Sequence, residues 1–410
     1  MYWRPSARWL TSPRCSSRTS IVATVVSARR RPVIACWTSV TDASSRDHST
    51  CMTASCSAVR RGGGADAFRG MPEYYTRRRR TASQGGSEFG GLRPRSWQRR
   101  RQTGYLPCVA EWSAEITVDP ELARRLIRDQ FDDLPTTRLR LLGTGWDNTV
   151  YLVDEAWVFR FPRREIAVAG IEREIAVLPR LTALPLAIPT PRFIGTRNSR
   201  YPWPFFGARY IAGRELPDVT LDDGRREAMG AALGRFLRSL HAPARLQSLA
   251  ELLPADPMGR SDMRQRVERT RERLEEIGRA GLWAIPESVA AVLNAARDLP
   301  SVPPTVVAHG DLHVRHLLVN VDASPAGVID WGDVCRADPS IDLSLYWSLL
   351  SPAGREAMRH AYGPVSAEQL LRARVLSLFL NAMLAIYANA EGLRALECEA
   401  IVGLQRTMIV

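Results

Sequence analysis

Lysine is absent from this 410-residue chain, so all 56 Lys-or-Arg positions are arginine. Each permanent side-chain cation is therefore a planar guanidinium fork, not a compact ammonium. Cysteine is also scarce where a disulfide framework would need it. Five of the seven (Cys15, Cys36, Cys51, Cys56, Cys108) fall in the first 110 residues, and only Cys335 and Cys398 in the other 300. Two isolated thiols argue for a reducing compartment and against a disulfide scaffold. His48, Cys51 and Cys56 fit no zinc spacing, and no second ligand pair follows them. Long apolar runs are missing too. Residues 21–28 form a largely apolar stretch of only eight, and nothing later approaches the roughly eighteen continuous apolar residues of a membrane span. A soluble, cytoplasmic protein is expected.

Acidic residues are nearly absent from the start of the chain. Residues 1–110 hold 20 Arg against 5 Asp and Glu, a charge of +15, whereas the rest holds 36 against 38, a charge of −2. The net +13 belongs wholly to that leader. With its runs of Arg at 77–80 and 99–101 and no sustained period, residues 1–112 read as an unstructured Arg-rich extension. That reading is preferred over an arm that binds nucleic acid.

What the chain does contain is concentrated in two motifs. The first is His309-Gly310-Asp311-Leu312-His313-Val314-Arg315-His316, after the apolar segment Val306-Val307-Ala308. The second is Val328-Ile329-Asp330-Trp331-Gly332-Asp333. Leu317-Leu318-Val319 and a turn-rich run lie between them and read as a strand and a hairpin connection. Folding the hairpin back brings Asp311 and Asp330 to one end of a small sheet. One carboxylate to accept a proton and one to hold a metal are what phosphoryl transfer to a hydroxyl requires.

Upstream, Asp119-Pro120 caps a short helix, and three antiparallel strands follow at 139–142, 149–153 and 157–161. The loop of Gly143, Thr144, Gly145, Trp146, Asp147 and Asn148 joins the first two and can bring backbone amides close to an anion. Period-two alternation puts Arg160 on the sheet face opposite Trp157, Phe159 and Phe161. There it lies beneath the glycine loop, suited to nucleotide phosphates. A helix over 166–181 presents Ile171, Glu174, Ile175 and Leu178 inward and Glu172 outward, which pairs Glu174 with Arg160. A strand over 205–211 leads to a hinge at Ala212-Gly213-Arg214. Helices follow at 225–240, 262–280 and 286–297, then one from Asp338-Pro339 to Leu350 and two more to about residue 407.

Taken in order, these segments resemble the aminoglycoside phosphotransferase family over residues 115–405. His309-Gly310-Asp311 and the Val328–Asp333 motif carry the likeness, with Asp338-Pro339, Asp342-Leu343, residues 143–148, Tyr210-Ile211-Ala212-Gly213-Arg214 and Leu237-Arg238-Ser239-Leu240-His241 in support. The resemblance implies an α+β, bilobal, protein-kinase-like fold: a small antiparallel-sheet N-lobe with the hinge (113–213) and a larger, mainly helical C-lobe (214–410). It implies ATP or GTP as donor, Mg2+, a small hydroxyl-bearing substrate of aminoglycoside or macrolide type, and no obligate protein partner. A metabolite kinase, or a kinase-like binding protein with weakened chemistry, is the alternative. Asp311 would be the catalytic base and Asp330 the principal Mg2+ ligand. Gly143, Gly145, Asn148, Arg160 and Glu174 would hold phosphate, and the backbone at Tyr210 and Ile211 the purine. Asp342 and His309 would brace the catalytic loop. Two positions depart from the pattern: Arg160 stands where the family has Lys, and His316 where it has a metal-binding Asn. Some macrolide kinases look similar at the second. Imidazole is a softer donor than Mg2+ prefers, so His316 either ligates the metal or only hydrogen-bonds within its loop.

Overall fold

The computed structural model describes residues 114–145 and 147–409. The readings of the Arg-rich leader, of residues 21–28 and of His48, Cys51 and Cys56 lie outside them.

The N-lobe begins with α1 (Pro120–Arg128), whose cap is Asp119 accepting from the Leu122 N–H at 2.7 Å. Its sheet has five strands: β1 (Leu139–Thr144), β2 (Asn148–Val153), β3 (Trp157–Pro162), β4 (Pro191–Gly195) and β5 (Phe205–Arg209). The order is β1-β2-β3-β5-β4, antiparallel throughout. Strand β4 was not foreseen, because Pro185 and Pro189 before it and Pro191 at its first position read in the sequence only as helix breakers. Pro191 stands first in an edge strand, where a missing N–H costs no ladder bond. Alternation along β3 buries Phe159 and Phe161 against Tyr151, Tyr201 and Phe205, with the Phe161 and Phe205 rings stacked at 4.7 Å. Such pairs add about 0.5–1.5 kcal/mol each beyond area burial. This aromatic core fixes the opposite face of β3, and hence Arg160, towards the second lobe.

A 3-10 turn leads into α2 (Val168–Val177), shorter than expected because both ends tighten to 3-10 geometry. Strand β6 (Arg214–Glu215) follows the hinge. The C-lobe then packs α3 (Asp223–Leu240), α4 (Pro243–Leu249), α5 (Met263–Arg279), α6 (Ser288–Arg297), α7 (Ser344–Ser348), α8 (Pro352–Tyr362), α9 (Ala367–Glu391) and α10 (Arg394–Met408) around one apolar cluster. Three helices, not two, follow residue 350. Helix α9 is long and apolar enough to cross a membrane by length and composition, with 56% of its apolar window buried. Here it is the central helix of the lobe, packed on α5, α6, α7 and α10. Trp283, Trp331, Tyr346 and Trp347 are all buried in this core.

The hairpin between the two Asp motifs is built differently from the expectation. β7 (Val306–Ala308) does not join the sheet of β8 (Leu317–Val319) and β9 (Pro325–Val328). It pairs with β10 (Cys335–Ala337), while β8 lies between β6 and β9. Asp311 and Asp330 thus follow strands of two separate small sheets. Backbone bonds between the two loops join them, with the Ile329 N–H donating to His316 O at 2.9 Å.

Candidate active site

The Asp311 loop is held from below by one carboxylate. Asp342, in the 3-10 segment before α7, accepts from the His309 N–H at 2.7 Å and the Gly310 N–H at 3.0 Å. His241, at the C-cap of α3, contacts the same carboxylate at 3.2 Å and reaches the Tyr362 hydroxyl at 2.8 Å with its other nitrogen. Burial disfavours the charge on Asp342, yet these donors hold its carboxyl below the usual range. His309 accepts the Asp311 N–H at Nδ1 (3.2 Å) and donates from Nε2 to Ile329 O (3.0 Å). That pattern requires the neutral ring. Burial pushes His309 below its ordinary value, against the pull of Asp342. The unfolded chain therefore takes up the proton first. The stability contributed by His309 is full above about pH 6.5 and falls as the pH drops below it. Thermal melting should occur at a lower temperature at pH 5.5 than at pH 7.5, and His309→Asn should shrink that difference. An undiminished difference in the variant would contradict the assignment.

Gly310 has φ +91°, and a Cβ there would collide with Asp333 O. The glycine lets the two motif loops touch backbone to backbone. Gly310→Ala should destabilise the fold by about 2–4 kcal/mol through left-handed strain and overpacking, measurable by urea unfolding. A loss within error of zero would show that the loops tolerate separation.

His316 sits between the two carboxylates. Its Nδ1 lies 2.8 Å from Asp311 O and 3.9 Å from Asp311 Oδ2, and its Nε2 lies 3.6 Å from Asp330 Oδ2. A carbonyl can only accept, so Nδ1 carries the proton and, in the neutral ring, the Nε2 lone pair faces Asp330. A carboxylate oxygen and an imidazole nitrogen at this spacing fit a shared divalent cation. Asp330 is itself at φ +64°, a left-handed conformation for a non-glycine.

From the N-lobe, Arg160 spans two carboxylates. Its Nη2 lies 2.7 Å from Asp330 Oδ1 and its Nη1 3.4 Å from Glu174 Oε1. The expected Arg160–Glu174 pair is present, and Asp330 joins it directly. The planar fork makes this triad possible, since each terminal nitrogen serves a different partner. Glu174 also accepts the Trp331 N–H at 2.9 Å, while Arg173 donates to Gly332 O from Nε at 3.1 Å and from Nη2 at 2.5 Å, so α2 grips the Asp330 loop. Burial pushes the Glu174 carboxyl up, to about 7, against Arg160. Burial also works against the charge on Asp330, but Arg160 and His316 prevail and hold it far below the usual range. Glu172 is exposed and pairs with Arg197.

The glycine loop lies at the same edge. Gly145 N–H donates to Asn148 O at 2.9 Å, and Arg163 and Arg164 fasten Gly145 O and Asp147. A Cβ on Gly143 would meet nothing within 4 Å, which leaves open space at the loop. Asn148 Oδ1, Arg160 Nε and Glu174 Oε2 are buried without hydrogen-bond partners among the described residues. At the hinge, the Tyr210 N–H is already given to Ala156 O at 2.8 Å, so Tyr210 cannot donate to a purine. The Ile211 N–H has no partner among the described residues, and Ile211 packs over Gly327 of β9.

One residue of this site escaped notice. Arg260, in the loop before α5, reaches Asp311 Oδ1 at 3.2 Å and Asp333 Oδ2 at 2.7 Å. It lies 51 residues from Asp311 in a segment without a motif, and no spacing in the sequence marks it. Asp333 is tied to Arg260, Asp338 is a buried cap on Ser340, and Glu356 faces Arg359 on α8.

Known proteins share this architecture. The GDP and kanamycin complex of APH(2")-IIia superposes with a TM-score of 0.52 at 22% identity, covering 70% of this chain and 97% of that one. The GDP complex of wild-type aminoglycoside 2'-phosphotransferase-IIIa gives 0.53 at 22%, covering 71% and 98%. These establish the bilobal, kinase-like α+β fold. No curated protein sequence matches the chain significantly. The sequence profile of the phosphotransferase enzyme family (APH) matches residues 138–374, more than half of the chain, and the chain belongs to that family.

Proposed function

We propose that this phosphotransferase moves the γ-phosphate of ATP or GTP to a hydroxyl of a small molecule in the cytoplasm. The observation that carries the reading is the convergence of Asp311 and Asp330 on the two nitrogens of His316, with Arg160 reaching Asp330 from the other lobe. Asp311 orients the acceptor hydroxyl and takes its proton as the oxygen attacks the γ-phosphorus, whose bond to the bridging oxygen breaks and releases ADP or GDP. Arg160, held by Glu174, steers the α- and β-phosphates, and the loop of Gly143, Gly145 and Asn148 covers them. Ile211 offers its N–H to the purine, with Tyr210 contributing only its carbonyl. Asp330 and His316 would hold Mg2+, which would supply positive charge against the phosphates.

The glycine loop and hinge support a nucleotide donor, as do the GDP complexes of the two similar structures. Acceptors of aminoglycoside or macrolide type head the list, the macrolide branch on account of His316. The metabolite-kinase alternative gains from one observation: the carboxylates available for a polycationic acceptor are largely engaged by the protein itself. A transfer screen with both nucleotides against aminoglycosides, macrolides and simple metabolite alcohols tests the reading. Acceptor-dependent release of ADP or GDP is the expected result. Its absence across the library, with the protein folded and Mg2+ present, would sink the proposal.

A further inference from the structure

Arg260 places a fixed positive charge beside the carboxylate that faces the acceptor. Its side chain is only 12% exposed, and its Nη2 is shared between Asp311 and Asp333. Burial alone would weaken its charge, but Asp333 and Asp311 more than restore it, so the guanidinium stays protonated. The loop that carries it is rigid for local reasons. Asp256 accepts from the Arg260 N–H (2.8 Å), the Ser261 N–H (2.8 Å) and the Ser261 hydroxyl (2.6 Å). The Asp256 N–H donates to Arg336 O at 3.0 Å, and the Arg336 N–H donates to Pro254 O at 3.0 Å. Asp262, two residues on, caps α5. The backbone that carries Arg260 is therefore fixed to the turn and to β10, and Asp311 and Asp333 hold its side chain.

A second feature has no structural use. Arg260 Nη1 is buried and has no hydrogen-bond partner among the described residues. A buried guanidinium donor left unpaired is costly unless a ligand completes it. The position of the fork beside Asp311 limits that ligand to something next to the reacting hydroxyl.

We propose that Arg260 is a specificity-determining and positioning residue of the acceptor subsite. It aligns Asp311 through Nη2 and offers Nη1 to an oxygen of the acceptor. The subsite thus selects acceptors whose reacting hydroxyl is flanked by a hydroxyl, carbonyl or carboxylate oxygen, and rejects those that bring an ammonium to the same place. The proposal rests on the phosphotransferase reading and narrows its substrate class. The physical ground is simple: an oxygen completes the guanidinium, whereas an ammonium meets a like charge across a desolvated contact.

The test compares an alkyl glucoside with its 2-amino analogue, and a 1,2-diol with the mono-alcohol that lacks its second hydroxyl, in the full-length protein with Mg2+ and ATP or GTP. Wild-type kcat/KM should favour the oxygen-flanked member of each pair by at least about tenfold. Arg260→Gln removes the charge and should compress that ratio by at least about tenfold, beyond any common fall in kcat. An equal fall for both members would reduce Arg260 to a structural brace and overturn the proposal. Calorimetric binding of the amino glucoside is read in parallel. It should tighten in Arg260→Gln, where Asp311 and Asp333 lose their internal cation, and unchanged binding would also overturn the idea. If wild type transfers phosphate to nothing, the phosphotransferase reading fails and the calorimetric comparison still judges Arg260. Should Arg260→Gln not fold, Arg260→Lys keeps the charge but lacks the second donor. It should still reject the amine while losing the preference between diol and mono-alcohol, and retention of both preferences would count against a role for Nη1.

Discussion

Asp311→Asn is expected to lower phosphate transfer by about 10³-fold, within the 10²–10⁴ range of a positioned general base. The substitution keeps the size of the side chain and removes its ability to take a proton. The loop itself is fixed by Asp342, His309 and Gly310, so the scaffold should survive. Mg2+–nucleotide affinity should be unchanged, because Asp311 is separated from Asp330 by the His316 ring. Steady-state kinetics and a nucleotide titration on the same preparation check both halves. Residual activity within about tenfold of wild type would remove Asp311 from the role of base.

Asp330→Asn is expected to act through the other half of the site. It weakens the proposed cation site shared with His316 and removes the negative partner of Arg160 Nη2. Loss of about 3 kcal/mol of charge stabilisation corresponds to at least about a hundredfold in kcat/KM. Unlike the Asp311 variant, this one should bind Mg2+–nucleotide more weakly. Glu174 and Trp331 still fasten Arg160 and the loop, so the fold should persist. Equal nucleotide affinity in the two variants would contradict the division of labour between the carboxylates.

The parts legible in the sequence were those whose signal is local. Period-two alternation along β3 was enough to separate Arg160 from Phe159 and Phe161, and helical spacing distinguished inward Glu174 from outward Glu172. The two Asp motifs were visible because turn residues bracket short apolar strands. Long-range pairing was not legible. Nothing local in Val306-Val307-Ala308 says that it pairs with Cys335–Ala337 and leaves the hairpin to a different sheet. Strand β4 was hidden behind prolines tolerated only at a sheet edge. Arg260 was invisible for the same reason as the strand partners: its contacts lie 51 and 73 residues away. The dual engagement of Arg160 also needed coordinates, since Asp330 lies 170 residues further on.

The proposed division of labour has Asp311 acting on an acceptor hydroxyl while Arg160, Asp330 and His316 manage the nucleotide phosphates. The most direct measurement is phosphorus NMR of the full-length protein with Mg2+, ATP or GTP and the acceptor library, run beside Asp311→Asn. The account predicts a phosphomonoester signal on an acceptor with wild type, and its loss in the variant while the nucleotide remains bound. Inorganic phosphate as the only product of wild type, or an undiminished phosphomonoester signal in the variant, would contradict it.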